Sequence, residues 1–591
     1  MESRPPDALA DFTQDVRVLV LSLMAGVIGV MSALVAAALV WLINVITNLA
    51  FFGRLSGVFR SPAEHHLGVW VILVPAAGGL IIGLMARYGS EKIRGHGIPE
   101  ALEAILYGRS RMEARVAVLK PVSSALSIGT GGPFGAEGPI IMTGGAFGSL
   151  FAQLFHLSSA ERRALLVAGA AGGMSAIFAT PVAAVLLAVE LLLFEWKPRS
   201  FIPVAVSSVV AGMLRVPLLG AGPIFPMAPH AAPSVGIMAA ALGVGVAAGA
   251  GSTLLTALVY GFEDLFGKLP LHWMWWPVIG GLGVGLGALF DPRILGVGYD
   301  VIRSLLKGEL IGGVVLALLI GKALVWSFSL GSGTSGGVLA PLLIIGGALG
   351  ALEAHWIPVG DTALWALVGM AAMMGGTMRS PLTAIMFAFE LTHEVNLLPP
   401  LLLSCIAAHA FTVLALRRSI LTEKVARRGF HVTREYSVDP FESHRVEDVM
   451  DPEVQSVLPG MSVRDLSERI ESGDPAVTRH HALPIVDTEG KLRGIITRGD
   501  VLRALEGDGD ETVLEAGTND LVVAYPDEIL RDAAQRMLRS DVGRLPVVSR
   551  EEPRHVVGYL GRVSVLSALR HRMTEEHERE SVWRSNAQEG G

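Results

Sequence analysis

Residues 180–193 read TPVAAVLLAVELLL, and residues 380–393 read SPLTAIMFAFELTH. Pro181, Ala184, Ala188, Glu190 and Leu191 thus recur as Pro381, Ala384, Ala388, Glu390 and Leu391 at one spacing. The match extends outward from there. Pro139, Gly144, Gly145, Ala146 and Gly148 return as Pro341, Gly346, Gly347, Ala348 and Gly350; Pro75, Gly78, Gly79 and Leu80 return as Pro277, Gly280, Gly281 and Leu282. Lys120, Ser127 and Gly129 likewise return as Lys322, Ser329 and Gly331. Roughly the first 420 residues are therefore one unit of about 200 residues written twice. In an apolar chain, such a duplication marks a transporter or channel whose site lies between two repeats near the bilayer midplane, often at broken helices.

The apolarity is plain. With a mean hydropathy of +0.52, 51% hydrophobic residues and 69 glycines in 591 positions, the bilayer is the expected solvent. Runs 18–45, 69–85, 237–259 and 311–330 are long enough to cross about 30 Å of hydrocarbon. Others are shorter and glycine-interrupted, as suits helices that enter and stop inside the protein. Past Arg417 the texture changes: Arg417, Arg418, Lys424, Arg427 and Arg428 form a basic cluster, and the chain beyond is charged. Basic residues beside the last span place that side, with the tail, in the cytoplasm. The single cysteine, Cys405, excludes a disulfide framework and a cysteine-based metal site. No cleaved signal is expected, and a net charge of −7 without a basic, aromatic-interleaved surface argues against a nucleic-acid partner.

Three segments join glycine, proline and a helix start: Gly95-His96-Gly97-Ile98-Pro99-Glu100, Gly135-Ala136-Glu137-Gly138-Pro139 and Gly336-Gly337-Val338-Leu339-Ala340-Pro341. A helix that begins inside a membrane leaves backbone N–H groups unsatisfied and carries about half a positive charge at that end. Several such ends converging would bind a small anion without a lysine or arginine, which would hold it too tightly for turnover. Close packing of small residues is the alternative reading of each segment. Glu137 sharpens the case, because the repeat aligns it with Leu339. A carboxylate at membrane depth costs several kcal/mol unless partnered; at a helix start it could occupy an anion position when ionised and vacate it when protonated, acting as a gate.

These segments resemble the signatures GSGIP, G(K/R)EGP and GxFxP of the CLC family of chloride channels and proton-coupled chloride antiporters, over roughly residues 20–430 and in the same order. The resemblance implies an all-α polytopic membrane fold of two inverted repeats, a homodimer with one pore per subunit, Glu137 as external gate, and an anion path lined by Gly95, His96, Gly97, Ile98, Pro99, Gly135, Gly138, Val338 and Leu339. The chain departs from the pattern at His96 (serine in the family), Ala136 (basic), Leu339 (phenylalanine) and Leu421 (tyrosine), so two hydroxyl ligands of the anion are missing. A charged His96 could replace the lost donors. Leu191 stands where the family's antiporters carry a proton-transferring glutamate; leucine carries no proton, which favours an uncoupled channel. Proton–chloride antiport through Glu190 or Glu195 is the alternative. For Glu190 the repeat also supplies a structural reading, since Glu390 occupies the equivalent place and the two could be paired carboxylates satisfied by backbone or by Arg/Lys partners.

A second, shorter repeat follows. Leu483-Pro484-Ile485-Val486 with Gly494-Ile495-Ile496-Thr497-Arg498-Gly499-Asp500 is echoed by Leu545-Pro546-Val547-Val548 with Gly558-Tyr559-Leu560-Gly561-Arg562-Val563-Ser564. Short β-rich runs alternating with amphipathic helices predict two α/β modules, similar to a tandem of CBS domains. That resemblance implies an adenine nucleotide (ATP, ADP or AMP) at Thr497 and Asp500, and no ribose site in the second copy, which has Gly561 and Ser564 there; dimerisation alone is the other role for the pair. The expected organisation is an N-terminal segment 1–17, a membrane domain 18–430 (repeats about 20–215 and 235–416), a linker 431–445, CBS modules 446–506 and 507–572, and a disordered tail 573–591. The reading is a non-enzymatic anion conductor of a bacterial inner membrane that requires no cofactor, with the CBS pair cytoplasmic. A CBS-bearing divalent-cation transporter is the rival class; it needs intramembrane carboxylate clusters for a hard cation.

Overall fold

In hydrocarbon every backbone N–H and C=O must be met within its own segment, so the apolar runs become helices. The computed structural model of the chain describes residues 17–106, 110–428, 445–507, 509–552 and 554–566, in two units, 17–428 and 445–566. Apart from Arg17 and Arg445, the expected N-terminal segment, linker and tail lie outside the described residues.

The membrane unit is a helical series run twice. Helices α1 (Arg17–Phe52), α2 (Leu73–Tyr88), α3 (Ile98–Leu106) and α4 (Ala114–Gly129) are matched in order by α9 (Val235–Gly267), α10 (Trp276–Phe290), α11 (Tyr299–Leu306) and α12 (Gly313–Gly331). Helices α5 (Glu137–Gln153), α6 (Ser159–Phe178), α7 (Pro181–Leu187) and α8 (Pro198–Leu219) are matched by α13 (Leu339–Glu353), α14 (Thr362–Met378), α15 (Pro381–Thr392) and α16 (Leu398–Ala415). A final helix, α17 (Ile420–Arg427), has no counterpart. Seven helical stretches among the described residues are long and apolar enough to cross a membrane; α7, α13, α14 and α15 are shorter, as the glycine-interrupted runs predict.

Packing repeats as faithfully as sequence. A Cβ on Gly144 would lie 2.3 Å from the Gly169 carbonyl oxygen, and one on Gly346 would lie 2.5 Å from that of Gly369, so α5 crosses α6 and α13 crosses α14 backbone to backbone. Contacts between the repeats are reciprocal. A Cβ on Gly79 would meet the Pro277 carbonyl oxygen at 2.2 Å, and one on Gly281 the Pro75 carbonyl oxygen at 2.3 Å. Gly135 and Gly337, themselves equivalent, form an antiparallel bridge, with N–H to O distances of 3.3 and 2.8 Å. Equivalent residues that meet in opposed chain directions define a pseudo-two-fold axis, as inverted repeats require.

One difference breaks the symmetry. The end of α7 widens into a π-helical turn, Ala188–Leu193, whereas α15 stays α-helical through Thr392.

The soluble unit holds two antiparallel two-stranded sheets, β1 (Ala482–Val486) with β2 (Leu492–Thr497) and β3 (Arg544–Val548) with β4 (Val556–Gly561). Each is irregular at the matching place, Ile485/Val486 and Val547/Val548. The anticipated amphipathic runs form helices Val463–Glu471 and Leu530–Arg539. The modules exchange their leading segments: Val446 packs into the core of Leu530, Leu545 and Leu560, while Val513 packs with Leu466, Ile485 and Ile496. A cut at 506/507 thus divides the chain but not the packing.

Candidate functional site

The three glycine–proline segments each open a helix, at Ile98, Glu137 and Leu339, and the fold brings them together on the pseudo-two-fold axis. Gly336 N–H donates to the Gly95 carbonyl at 3.4 Å. A Cβ on Gly138 would lie 2.0 Å from the His96 carbonyl oxygen and 3.3 Å from the Gly337 Cα, so only glycine lets α5 approach both neighbours. Gly95 and Gly97 have φ of +80° and +88°, the left-handed turns that aim the chain into α3.

At the centre lies Glu137, with no exposed surface. Its Oε1 accepts from the Leu339 N–H, and from the Ala340 N–H at 3.3 Å, so the carboxylate sits on the N-terminus of α13. That is an anion position: a negative group on first-turn N–H donors at the positive end of a helix. Its Oε2 has no protein partner. The glutamate of one repeat therefore docks on the helix start that the other repeat presents at the equivalent residue, Leu339.

His96 is buried, its Nδ1 without a hydrogen-bond partner; Lys120, Lys424, Arg428 and Glu100 are its charged neighbours. Ile98 and Pro99 are buried at the start of α3, and Val338 and Leu339 at the start of α13. Leu421 is buried on α17, which packs on α3. Lys424 of α17 points its Nζ at Gly95, and beside it a cavity of about 480 Å³ is lined by Arg94, Glu103, Glu263, Lys424 and Arg428. One approach to the helix starts is thus lined by charged groups of both signs, basic ones in the majority.

Leu191 is fully buried in the π-helical turn. Neither carboxylate proposed to replace it is free. Glu190 accepts from the Leu382 N–H at 3.2 Å, the Thr383 N–H at 2.8 Å and the Thr383 hydroxyl at 2.6 Å. Glu390 does the same in mirror fashion, accepting from Val182 and Ala183 at 2.9 and 2.8 Å. The structural reading of the pair holds: each repeat's carboxylate caps the other repeat's helix start. Glu195 accepts from the Ser200 hydroxyl and lies by Lys197 and Arg199.

In the soluble unit Thr497 and Asp500 cap the helix Arg498–Leu505. Asp500 Oδ2 accepts from the Thr497 N–H at 2.8 Å and hydroxyl at 2.7 Å, and Oδ1 accepts from Arg503. Both carboxylate oxygens are engaged, so a ribose hydroxyl at Asp500 would share Oδ1 with Arg503 or displace it.

Two polar groups of the membrane unit escaped the motif reading. Tyr299 opens α11 and Arg215 lies near the end of α8; the only sequence signal for Tyr299 is its place as the repeat counterpart of Ile98.

Two inverted repeats meeting at opposed helix starts define a polytopic membrane protein with its site on the pseudo-two-fold axis. Comparison with known proteins gives the family. A model described as voltage gated chloride channel matches residues 78–413, and one for the CBS domain matches 446–507 and 513–571. The voltage-gated ClC-type chloride channel ClcB of Escherichia coli is 31% identical over 419 residues, covering 69% of this chain and 99% of that protein. A putative chloride channel protein, ClcB-like, of Ralstonia nicotianae is 32% identical over 348 residues, 57% of this chain and 81% of that protein. In fold, the chain is similar to a slow cyanobacterial Cl−/H+ antiporter (TM-score 0.62, 23% identity, 70% of this chain and 98% of that one) and to a eukaryotic CLC transporter (TM-score 0.59, 19% identity, 93% and 98%). The chain belongs to the CLC family of anion transporters, with a C-terminal CBS pair; it is a multi-pass integral membrane protein, not an enzyme, and the divalent-cation rival falls away.

Proposed function

We propose that this protein conducts chloride or a similar small anion without coupling to protons, with Glu137 as the gate. The observation that carries the reading is the docking of the Glu137 carboxylate on the Leu339 and Ala340 N–H groups, where a permeating anion would bind. Ionised, the carboxylate competes with chloride for those donors. Protonated, it loses most of its strength as an acceptor and leaves them to the anion. Uncoupled conduction is supported by Leu191, an apolar side chain in the π-helical turn, and by the engagement of Glu190 with the opposite repeat. A proton route past Glu190 would have to break that clasp.

We place the protein in a bacterial inner membrane as a homodimer, with the CBS pair in the cytoplasm tuning the pore and an adenine nucleotide as its optional ligand. The test is to reconstitute the protein in liposomes and record chloride efflux and proton uptake together. Efflux without proton movement is expected, and Glu137→Ala should conduct independently of pH. A fixed proton-to-chloride ratio would replace this reading with antiport by another proton route.

A further inference from the structure

Residues 220–234, which join α8 of the first repeat to α9 of the second, form no helix or strand. Phe225 and His230 fasten this connection to the second repeat. The Phe225 N–H donates to the Leu391 carbonyl at 3.0 Å. Its buried ring meets Tyr299 at 5.8 Å, and Tyr299 in turn meets Phe178 of the first repeat at 6.4 Å. His230 is gripped by backbone and ring together. Its N–H donates to Glu394 Oε2 at 3.2 Å, and its carbonyl accepts from the Asn396 side chain at 2.6 Å. Its ring Nε2 lies 3.4 Å from Asp361 Oδ1, and its ring Nδ1 lies 3.6 Å from Glu394 Oε2.

The imidazole therefore stands between two carboxylates, one at each ring nitrogen. A neutral imidazole has one N–H and one bare nitrogen, so in either tautomer a lone pair faces a carboxylate oxygen on one side. Only the doubly protonated ring can donate to both. Neither carboxylate can turn away without giving up a backbone donor, because Asp361 Oδ1 accepts from the Leu364 N–H at 2.8 Å and Glu394 Oε1 from the Asn396 N–H at 3.3 Å. Asp361 is exposed and Glu394 almost wholly buried, so a proton reaches the ring from the Asp361 side.

The remaining ionisable groups on the neighbouring elements are His393, next to Glu394; Glu353 and His355, at the end of α13; Arg215, which donates to the Gly220 carbonyl; and Lys307 and Glu309, which pair with each other at 3.6 Å beside Thr362. The acidic partners of His230 are thus the two that touch its ring.

We propose that His230 is a pH-operated latch: on gaining its second proton it pairs with Asp361 and Glu394 together and pins the connection between the repeats to the start of α14 and the end of α15. Histidine is the side chain whose charge changes in this way in mild acid. With the proton lost, one of the two pairs opens, and Phe225 and the His230 backbone hold the connection alone. Nothing in the latch depends on which ion the protein conducts.

The test is hydrogen exchange of the full chain in detergent at about pH 5.5 and about pH 8, read as protection corrected for the intrinsic pH dependence of exchange, for the unsubstituted protein, His230→Gln and Asp361→Asn. Protection over residues 224–233 is expected to be about ten-fold higher at the lower pH, the scale of one charge-assisted hydrogen bond, with no such step across α9. His230→Gln keeps a donor but gains no charge, so it should flatten the step. Asp361→Asn keeps a good cap on α14 and removes one carboxylate, so it should shrink the step well below ten-fold. Equal protection at both pH values in the unsubstituted protein, a step shared by α9, or a step that survives in His230→Gln would overturn the latch. An undiminished step in Asp361→Asn would overturn the pairing on both sides of the ring.

Discussion

Glu137 and Leu339 occupy the same position of a duplicated segment, and the difference between them makes the site: one offers a carboxylate, the other the backbone N–H that receives it. Glu137→Gln keeps the shape but not the charge, so it is expected to fold normally and to abolish the pH dependence of anion efflux, read by flux at stepped pH. Gly138→Ala tests the scaffold instead. Its Cβ would press on the His96 carbonyl and on the Gly337 Cα, both backbone, so a lower unfolding midpoint in detergent and lost transport are expected together. Glu137 and the glycines were legible because helix starts need glycine and proline, and because a lone carboxylate in apolar sequence stands out. Arg215 was not. An arginine near the end of a span ordinarily snorkels to the interface; only the tertiary fold shows this one buried, donating to the Gly220 carbonyl just past the end of its own helix.

At the level of single elements, α17 is docked by charge. Glu100 of α3, almost wholly buried, meets Lys424 and Arg428, and Glu103 meets Arg428 at 2.6 Å. Removing the buried member of such a cluster strands Lys424, while Arg428 keeps Glu103, so Glu100→Ala is expected to cost about 3 kcal/mol and to raise hydrogen exchange selectively over residues 420–427. The sequence showed these basic residues as a membrane-side marker; their carboxylate partners lie more than 300 residues away, beyond any local pattern. The π-helical turn around Leu191 was equally hidden, since the sequences of α7 and α15 match and only packing distinguishes them. In the soluble unit Arg503 occupies an Asp500 oxygen, so if the proposed adenine nucleotide binds there, Arg503→Ala is expected to tighten it in calorimetry on the full chain. Unchanged affinity would show that Asp500 does not hold the ribose.

Across the whole molecule, the duplication visible in the sequence predicts both the element order and its doubling, because a repeated hydrophobic pattern repeats the helices it encodes. It does not reveal how the halves hold each other. That depends on reciprocal contacts, chiefly Glu190 on Leu382 and Thr383 and Glu390 on Val182 and Ala183. Glu190→Ala and Glu390→Ala are each expected to lower stability by about 1–3 kcal/mol per stranded N–H, two N–H groups being freed in each case, as measured by unfolding midpoints. The clasp also has a history in time. Glu190 is synthesised 192 residues before Leu382, which at a ribosomal pace of about 5–20 residues per second is a gap of roughly 10 to 40 s. Throughout that interval the Glu190 carboxylate has no opposite helix start to cap, so the first repeat can form its helices alone but the clasp between the halves closes only after the second is made.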